Sequence, residues 1–191
     1  FQKNKIFPKE INYIPINNKI YSSWKGRLSS IEGIKIGINW HGNIKHKHDK
    51  PRSISLNLFE ELFALKGISF ISLQKGYGVE QIDKFKFKNK LKYFHSELEI
   101  NEEKNAFEDT IGILKNLDLV ITVDTAIAHL SATLGVNTWI LIHTPFPDWR
   151  WSLKKEKTGW YNNVKLIRQT KANEWNSVIS DIKKTLIKKF N

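Results

Sequence analysis

Apolar residues along this chain come in short runs, separated by stretches where they recur at helical spacing. The runs "IKIGIN" (34–39), "ISFISLQ" (68–74), "DLVITV" (118–123), "TWILIH" (138–143) and "VKLIRQ" (164–169) read as strands, and "LKYFH" (91–95) as a weaker one. Between them lie helical patterns. Asn17 or Asn18 is a suitable cap for a leading helix over 17–32, with Ile20, Trp24, Leu28 and Ile31 on one face and Gly33 ending it. "LNLFEELFAL" (56–65), a short segment at 79–85, 108–116, 125–134 and a final helix over 173–190 complete the set. Strands that are apolar on both faces and alternate with helices predict a mostly parallel, six-stranded, doubly wound α/β sheet of the Rossmann-like class.

Residues 1–16 are Pro-punctuated and read as an extended linker, leaving 17–191 as one Rossmann-like domain. The last helix sets Trp175, Val178, Ile179, Ile182 and Leu186 against Lys183, Lys184 and Lys188. Packing on the sheet or on a neighbouring domain is the expectation for that face, with membrane docking as the rival.

Composition adjusts this picture in three ways. The net charge of +12 raises the question of a nucleic-acid or other anionic partner, yet only four of the 31 basic residues are Arg. The lysines are scattered, as in a general drift of composition, so the few arginines carry more information. The absence of Cys excludes a disulfide framework and a Cys-ligated zinc, and fits a cytoplasmic protein. No apolar run is long enough to span a membrane, and none reads as a secretory signal. The chain has no Met, not even at position 1, and is expected to be part of a longer protein.

In an open parallel sheet, ligands bind beyond the carboxyl ends of the strands. The residues there are Asp124, Thr125 and Ala126 after the fourth strand, opening a helix that carries His129 one turn on. Asp124 is placed to cap that helix. The first N–H groups offer an anion seat, Ala126 permits close approach, and His129 leans back toward the same point. An ordinary cap beside a hydrogen-bonded core histidine explains the same spacing equally well. After the first strand, a long loop carries His41, Gly42, Asn43 and Arg52. Gly42 permits close backbone approach, and the planar fork of Arg52 suits a phosphate. After the second strand come Gln74 and Lys75, and after the fifth Trp149, Arg150 and Trp151, an aromatic and cationic set suited to a sugar or acceptor. The bland alternative is that these tryptophans plug a loop against the core. The dinucleotide, P-loop and nucleophile-elbow motifs are missing, as is a D-x-D pair for a metal diphosphate. His41, His46, His48 and Asp49 match no regular metal spacing, so no metal or other cofactor is expected.

The ordered set "IGINWHGNIKHKHD…RSISL", "ISLQKG", "DLVITVDTAIAHLSATLG" and "PDWRW" resembles glycosyltransferase family 9, the heptosyltransferase-like enzymes. In particular it is similar to the catalytic segment found in bacterial tetratricopeptide-repeat proteins, and more distantly to O-linked N-acetylglucosamine transferases. The resemblance covers nearly the whole chain. It implies the donor-binding lobe of a two-lobed GT-B transferase, acting without metal on a nucleoside-diphosphate sugar. Asp124, Thr125, Ala126 and His129 would hold the diphosphate with Arg52, Gln74 and Lys75 would lie near the nucleotide, and Asp109 would reach the ribose. The site for the acceptor, a protein or glycan, and the catalytic base would lie in a first lobe absent from this chain or in the cleft between the lobes, so no catalytic base is assigned here. Position 126 is Ala where heptosyltransferases often have Gly, so the resemblance stops short of heptose as the sugar. The rivals are a nucleotide-sugar-binding module without turnover and a basic nucleic-acid-binding domain.

Overall fold

The computed structural model describes residues 13–47, 49–94, 98, 107–145, 147–151 and 156–190. Most of the expected linker, most of the acidic loop after residue 94, and His48 lie outside them. Helix α1 (Asn18–Ser29) opens on Asn17, whose side-chain oxygen accepts from the N–H groups of Lys19 and Ile20 at 3.1 and 3.4 Å. Strand β1 (Ile34–Asn39) begins after a turn at Gly33, with φ +75°, where a Cβ would stand 2.4 Å from the Gly67 carbonyl oxygen. Only glycine fits there.

The chain continues through a single turn, α2 (Asp49–Arg52), a 3-10 helix at Leu56–Ala64, β2 (Ile68–Ser72) and a second 3-10 helix at Val79–Lys84. It then forms β3 (Leu91–Lys92), α3 (Glu108–Leu114), β4 (Leu119–Val123), α4 (Ala126–Thr133) and β5 (Thr138–Ile142). A 3-10 turn at Trp149–Trp151, β6 (Val164–Arg168) and α5 (Asn176–Phe190) complete it.

All strand pairings are parallel, in the order β3-β2-β1-β4-β5-β6. This is the doubly wound, Rossmann-like sheet expected from the alternating pattern. The order changes direction between β1 and β4, so the connections leaving those two strands diverge and open a crevice at their carboxyl ends. One face is covered by the Leu56–Ala64 helix and α5, through Phe59, Phe63, Val178, Ile182 and Leu186. The other is covered by α1, α3 and α4, through Trp24, Leu28, Ile113, Leu114 and Ile127. The apolar face of α5 is thus spent on the domain's own core rather than on a membrane. Among the described residues, no helix is long and apolar enough to cross one.

The structure refines two expectations. The segment 56–65, expected as helical, winds in the 3-10 form. Ser55 makes no side-chain cap, the Leu56 N–H goes to the Gln81 side chain at 2.8 Å, and the Leu58 and Leu65 N–H groups bond three residues back. The strand expected at 91–95 pairs only over Leu91–Lys92, as a short edge to β2.

Candidate functional site

The crevice is built on a buried polar network at the ends of β1 and β4. Asn39, the last residue of β1, accepts from the hydroxyls of Thr122 at 3.1 Å and Thr125 at 2.9 Å. Its amide donates to Gln74 Oε1 at 2.8 Å. That same oxygen takes the backbone N–H groups of Trp40 and His41, and the Gln74 amide donates to the carbonyls of His41 and Tyr77. Gln74, expected beside the nucleotide, is therefore engaged at both ends of its side chain and holds the loops in place.

Thr125 stands at the mouth of α4 in extended conformation, with no side chain capping the helix. Asp124, expected as that cap, is turned instead toward Trp151, whose indole lowers its pKa against the rise caused by burial. The Trp151 indole nitrogen is buried and meets no acceptor at full hydrogen-bond geometry, so the facing carboxylate is the group that offsets its burial. The first N–H groups of the helix thus open at an exposed Ala126, while that of Ala128 closes on the Thr125 carbonyl at 3.0 Å.

Arg52 lies over this mouth. Its Nη1 donates to the Asp124 carbonyl at 2.9 Å, and its Nε lies 3.4 Å from Asp49 Oδ1. A Cβ on Gly42 would stand 2.5 Å from Asp49 Oδ1 and 2.6 Å from Arg52 Nη2. The close approach that Gly42 permits is thus made by the arginine–carboxylate pair of the protein itself. Asp49 also accepts from Ser53 Oγ at 3.1 Å and lies 3.7 Å from His41 Nδ1. The serine proton points at the carboxylate and not at the imidazole, so these three do not form a nucleophilic triad.

Two clefts flank the mouth. One, of about 350 Å³, is lined by Leu73, Ile113 and Ile127 with Asn43 and Lys75 at its rim. The other, of about 510 Å³, is more polar and is lined by Asp124, His129, His143, Asp148 and Trp149. Arg52, Thr125 and Ala126 line both. A wider groove of about 790 Å³ on the far side of the loop after β1 carries Lys45, Lys47, Lys50 and Lys84.

His129 reaches the second cleft from one turn inside α4. Its ring stacks on Trp151 with centroids 4.9 Å apart, and its Nδ1 lies 3.0 Å from the Tyr161 hydroxyl. Burial holds its pKa below the ordinary 6.5, with Asp124 opposing and Arg150 assisting. The unfolded chain therefore takes up this proton at a higher pH than the folded one, and stability is lost as pH falls from 6.5 through the folded value. Asp124 acts in the opposite sense. Its folded pKa lies above 3.8, so its contribution declines as pH rises from there through the folded value. Urea denaturation across a pH series is expected to show His129→Gln losing part of the wild-type slope just below pH 6.5. An unchanged slope would assign the acid sensitivity elsewhere.

The remaining expected residues divide. Asn43 and Lys75 reach the first cleft, although the Lys75 ammonium is donated to the Leu98 carbonyl at 3.0 Å. His41 lies between that cleft and the lysine groove. Asp109, expected near a ribose, instead accepts from the Trp24 indole at 2.8 Å and ties α3 to α1. It lines neither cleft. Of the aromatic set, Trp149 is exposed on the second cleft, whereas Trp151 is fully buried behind His129. Arg150 is held by Asp148 at 3.0 Å and lies over the Trp149 ring. Asn39, Thr122 and Tyr161 were missed by the sequence reading, and Asp49 was weighed there only as a metal ligand. The only signal for Asn39 is a polar side chain closing an apolar strand. Among the described residues, no three His, Cys, Asp or Glu side chains gather as a metal set.

No protein-family profile matches the chain, and no curated protein sequence does. Solved structures do. ADP-heptose lipopolysaccharide heptosyltransferase II of Escherichia coli superposes with a TM-score of 0.60 at 13% identity, over 98% of this chain and 53% of that one. A family 9 glycosyltransferase from Veillonella parvula gives 0.55 at 14%, over 93% and 47%. The E. coli heptosyltransferase WaaC, solved with ADP-2-deoxy-2-fluoro heptose, gives 0.54 at 15%, over 89% and 46%. The chain spans about half the length of these structures. At such identities the likeness shows a shared fold: the Rossmann-like sheet of the heptosyltransferase structures.

Proposed function

We propose that this chain is the donor-binding lobe of a glycosyltransferase that uses a nucleoside-diphosphate sugar. One observation carries the reading. The two clefts share Arg52, Thr125 and Ala126, and they meet at the uncapped mouth of α4. A diphosphate seated there has a largely apolar cleft with Lys75 at its edge on one side for the nucleoside. On the other side a polar cleft with an aromatic rim receives the sugar. The fold shared with heptosyltransferases supports the same assignment.

In the reaction, an acceptor oxygen attacks the anomeric carbon and the bond to the diphosphate breaks. Negative charge then grows on the leaving diphosphate. The helix N–H groups, Arg52 and the His129 ring are the groups that meet it, so no metal is required in this scheme. The catalytic base and the acceptor, a protein or a glycan, belong to a partner lobe of the same protein. A repeat domain of the tetratricopeptide kind is proposed as a further part of it.

Calorimetric titration with ADP-, UDP- and GDP-sugars is expected to show saturable binding of one of them. Arg52→Ala is expected to weaken that binding by about 1.5–3 kcal/mol, or roughly 10- to 150-fold. An unchanged dissociation constant would remove Arg52 from the site. Strongly salt-dependent binding to oligonucleotides, with none to nucleotide sugars, would overturn the reading in favour of a nucleic-acid domain. Turnover by the two-lobed protein distinguishes a transferase from a binding module.

A further inference from the structure

We infer that Tyr161 is a positioning residue for His129, fixing the imidazole as the tautomer that carries its proton on Nε2, on the side of the sugar cleft. This rests on the donor-lobe reading for what that proton meets. The orientation itself follows from the surroundings of the ring.

Two contacts restrain the imidazole, and they do different things. Trp151 stacks on it with an interplanar angle of 24°, which fixes the plane of the ring. Stacking leaves open a half-turn flip about the Cβ–Cγ bond, which exchanges Nδ1 with Cδ2 and Nε2 with Cε1, and it does not choose the tautomer. The 3.0 Å contact from Nδ1 to the Tyr161 hydroxyl removes that freedom. A phenol is a far better donor than acceptor, and the unprotonated nitrogen of a neutral imidazole is a good acceptor. The hydrogen bond therefore runs from Tyr161 to Nδ1, which leaves the proton on Nε2.

The next partner along supports this direction. Thr133 is one turn beyond His129 on α4 and hence on the same face of the helix. Burial raises the Tyr161 pKa and the Thr133 hydroxyl lowers it, the sense expected of a hydroxyl directed at the phenol oxygen. That direction leaves the phenol proton to go to the imidazole. Tyr13 closes the row, its hydroxyl 3.4 Å from that of Thr133. The charges that act on the ring are Asp124, Arg150 and Asp148. None of these supplies an acceptor for an Nδ1 proton in place of the phenol.

The consequence is chemical. A buried histidine that stays neutral would lose its usefulness to an anion if the proton sat on the wrong nitrogen. With Nδ1 occupied by Tyr161, the neutral ring still presents an N–H donor to the cleft. Binding then does not depend on protonating His129.

The test is a long-range proton–nitrogen spectrum of the ¹⁵N-labelled chain at about pH 8, without ligand, for wild type and Tyr161→Phe. In the wild type, Nδ1 of His129 is expected as an unprotonated, hydrogen-bonded nitrogen and Nε2 as the protonated one. In Tyr161→Phe the hydrogen-bond shift of Nδ1 should vanish, with the circular dichroism unchanged. Titration with ADP, UDP and GDP should then show the bound nucleotide weakened about 3- to 10-fold. A protonated Nδ1 in the wild type, imidazole signals unmoved by the substitution, or unaltered binding of a nucleotide that the wild type does bind would each overturn the inference. The expected tautomer, with its Nδ1 hydrogen-bond shift lost in Tyr161→Phe, in a chain that binds no nucleoside diphosphate would support the orienting role and overturn the donor reading instead.

Discussion

Replacing Gln74 by Leu is expected to lower the stability of the domain by about 3–6 kcal/mol, a fall of roughly 8–16 °C in thermal midpoint for a chain of this size. The reason is the number of buried groups that one side chain serves. Without it the backbone N–H groups of Trp40 and His41 and the amide of Asn39 lose their common acceptor. The carbonyls of His41 and Tyr77 lose a donor. Leucine fills the volume, so the effect reads unsatisfied polarity rather than a cavity. The neighbouring Lys75→Ala, at an exposed position with a single bond to Leu98, is expected to stay within about 0.5 kcal/mol. Calorimetry of the two variants checks this. A midpoint for Gln74→Leu within about 3 °C of wild type would mean that the loops carry their own stability.

Trp151→Ala is the second large effect, expected at about 3–5 kcal/mol from loss of a fully buried indole. It should also act on the site. His129 would lose its stacking partner and gain water, so its pKa should rise toward 6.5. Trp151→Phe separates the two roles. It keeps an aromatic face for His129 and removes the indole N–H that faces Asp124, so the carboxylate pKa should rise further while stability falls by much less. Urea denaturation and imidazole titration by NMR are the measurements. A His129 pKa that stays put in Trp151→Ala would show that the ring is buried by other parts of the fold.

The sheet was legible because its code is local. Apolar runs of strand length, spaced by helical patterns, declare a parallel sheet wherever they occur, and Asn17 declares a cap by its neighbours alone. The helix mouth at Thr125 was legible for the same reason. What could not be read were the choices made between distant segments. Gln74 and Asn39 meet across 35 positions, and Asn39 and Thr125 across 86. Nothing near Gln74 says whether its amide serves a ligand or the chain. Asp109 looked available because its partner, Trp24, lies 85 positions earlier on another helix. Trp149 and Trp151 read alike in sequence, and a 3-10 turn sends one to solvent and the other to the core. Asp124 had the composition of a cap, but its carboxylate faces a buried indole that meets no acceptor at full geometry.

The anchoring of Arg52 has a thermodynamic meaning for whatever anion settles at α4. Its guanidinium is already fastened to the Asp124 carbonyl and to Asp49, with Gly42 leaving it room. The rotamer freedom of that long side chain has been surrendered when the protein folds, not when the guest arrives. Association therefore meets a cation of fixed direction and loses little entropy in aligning it. A lysine at the same place would bring equal charge on a mobile stem, and would have to be brought to rest anew in every encounter.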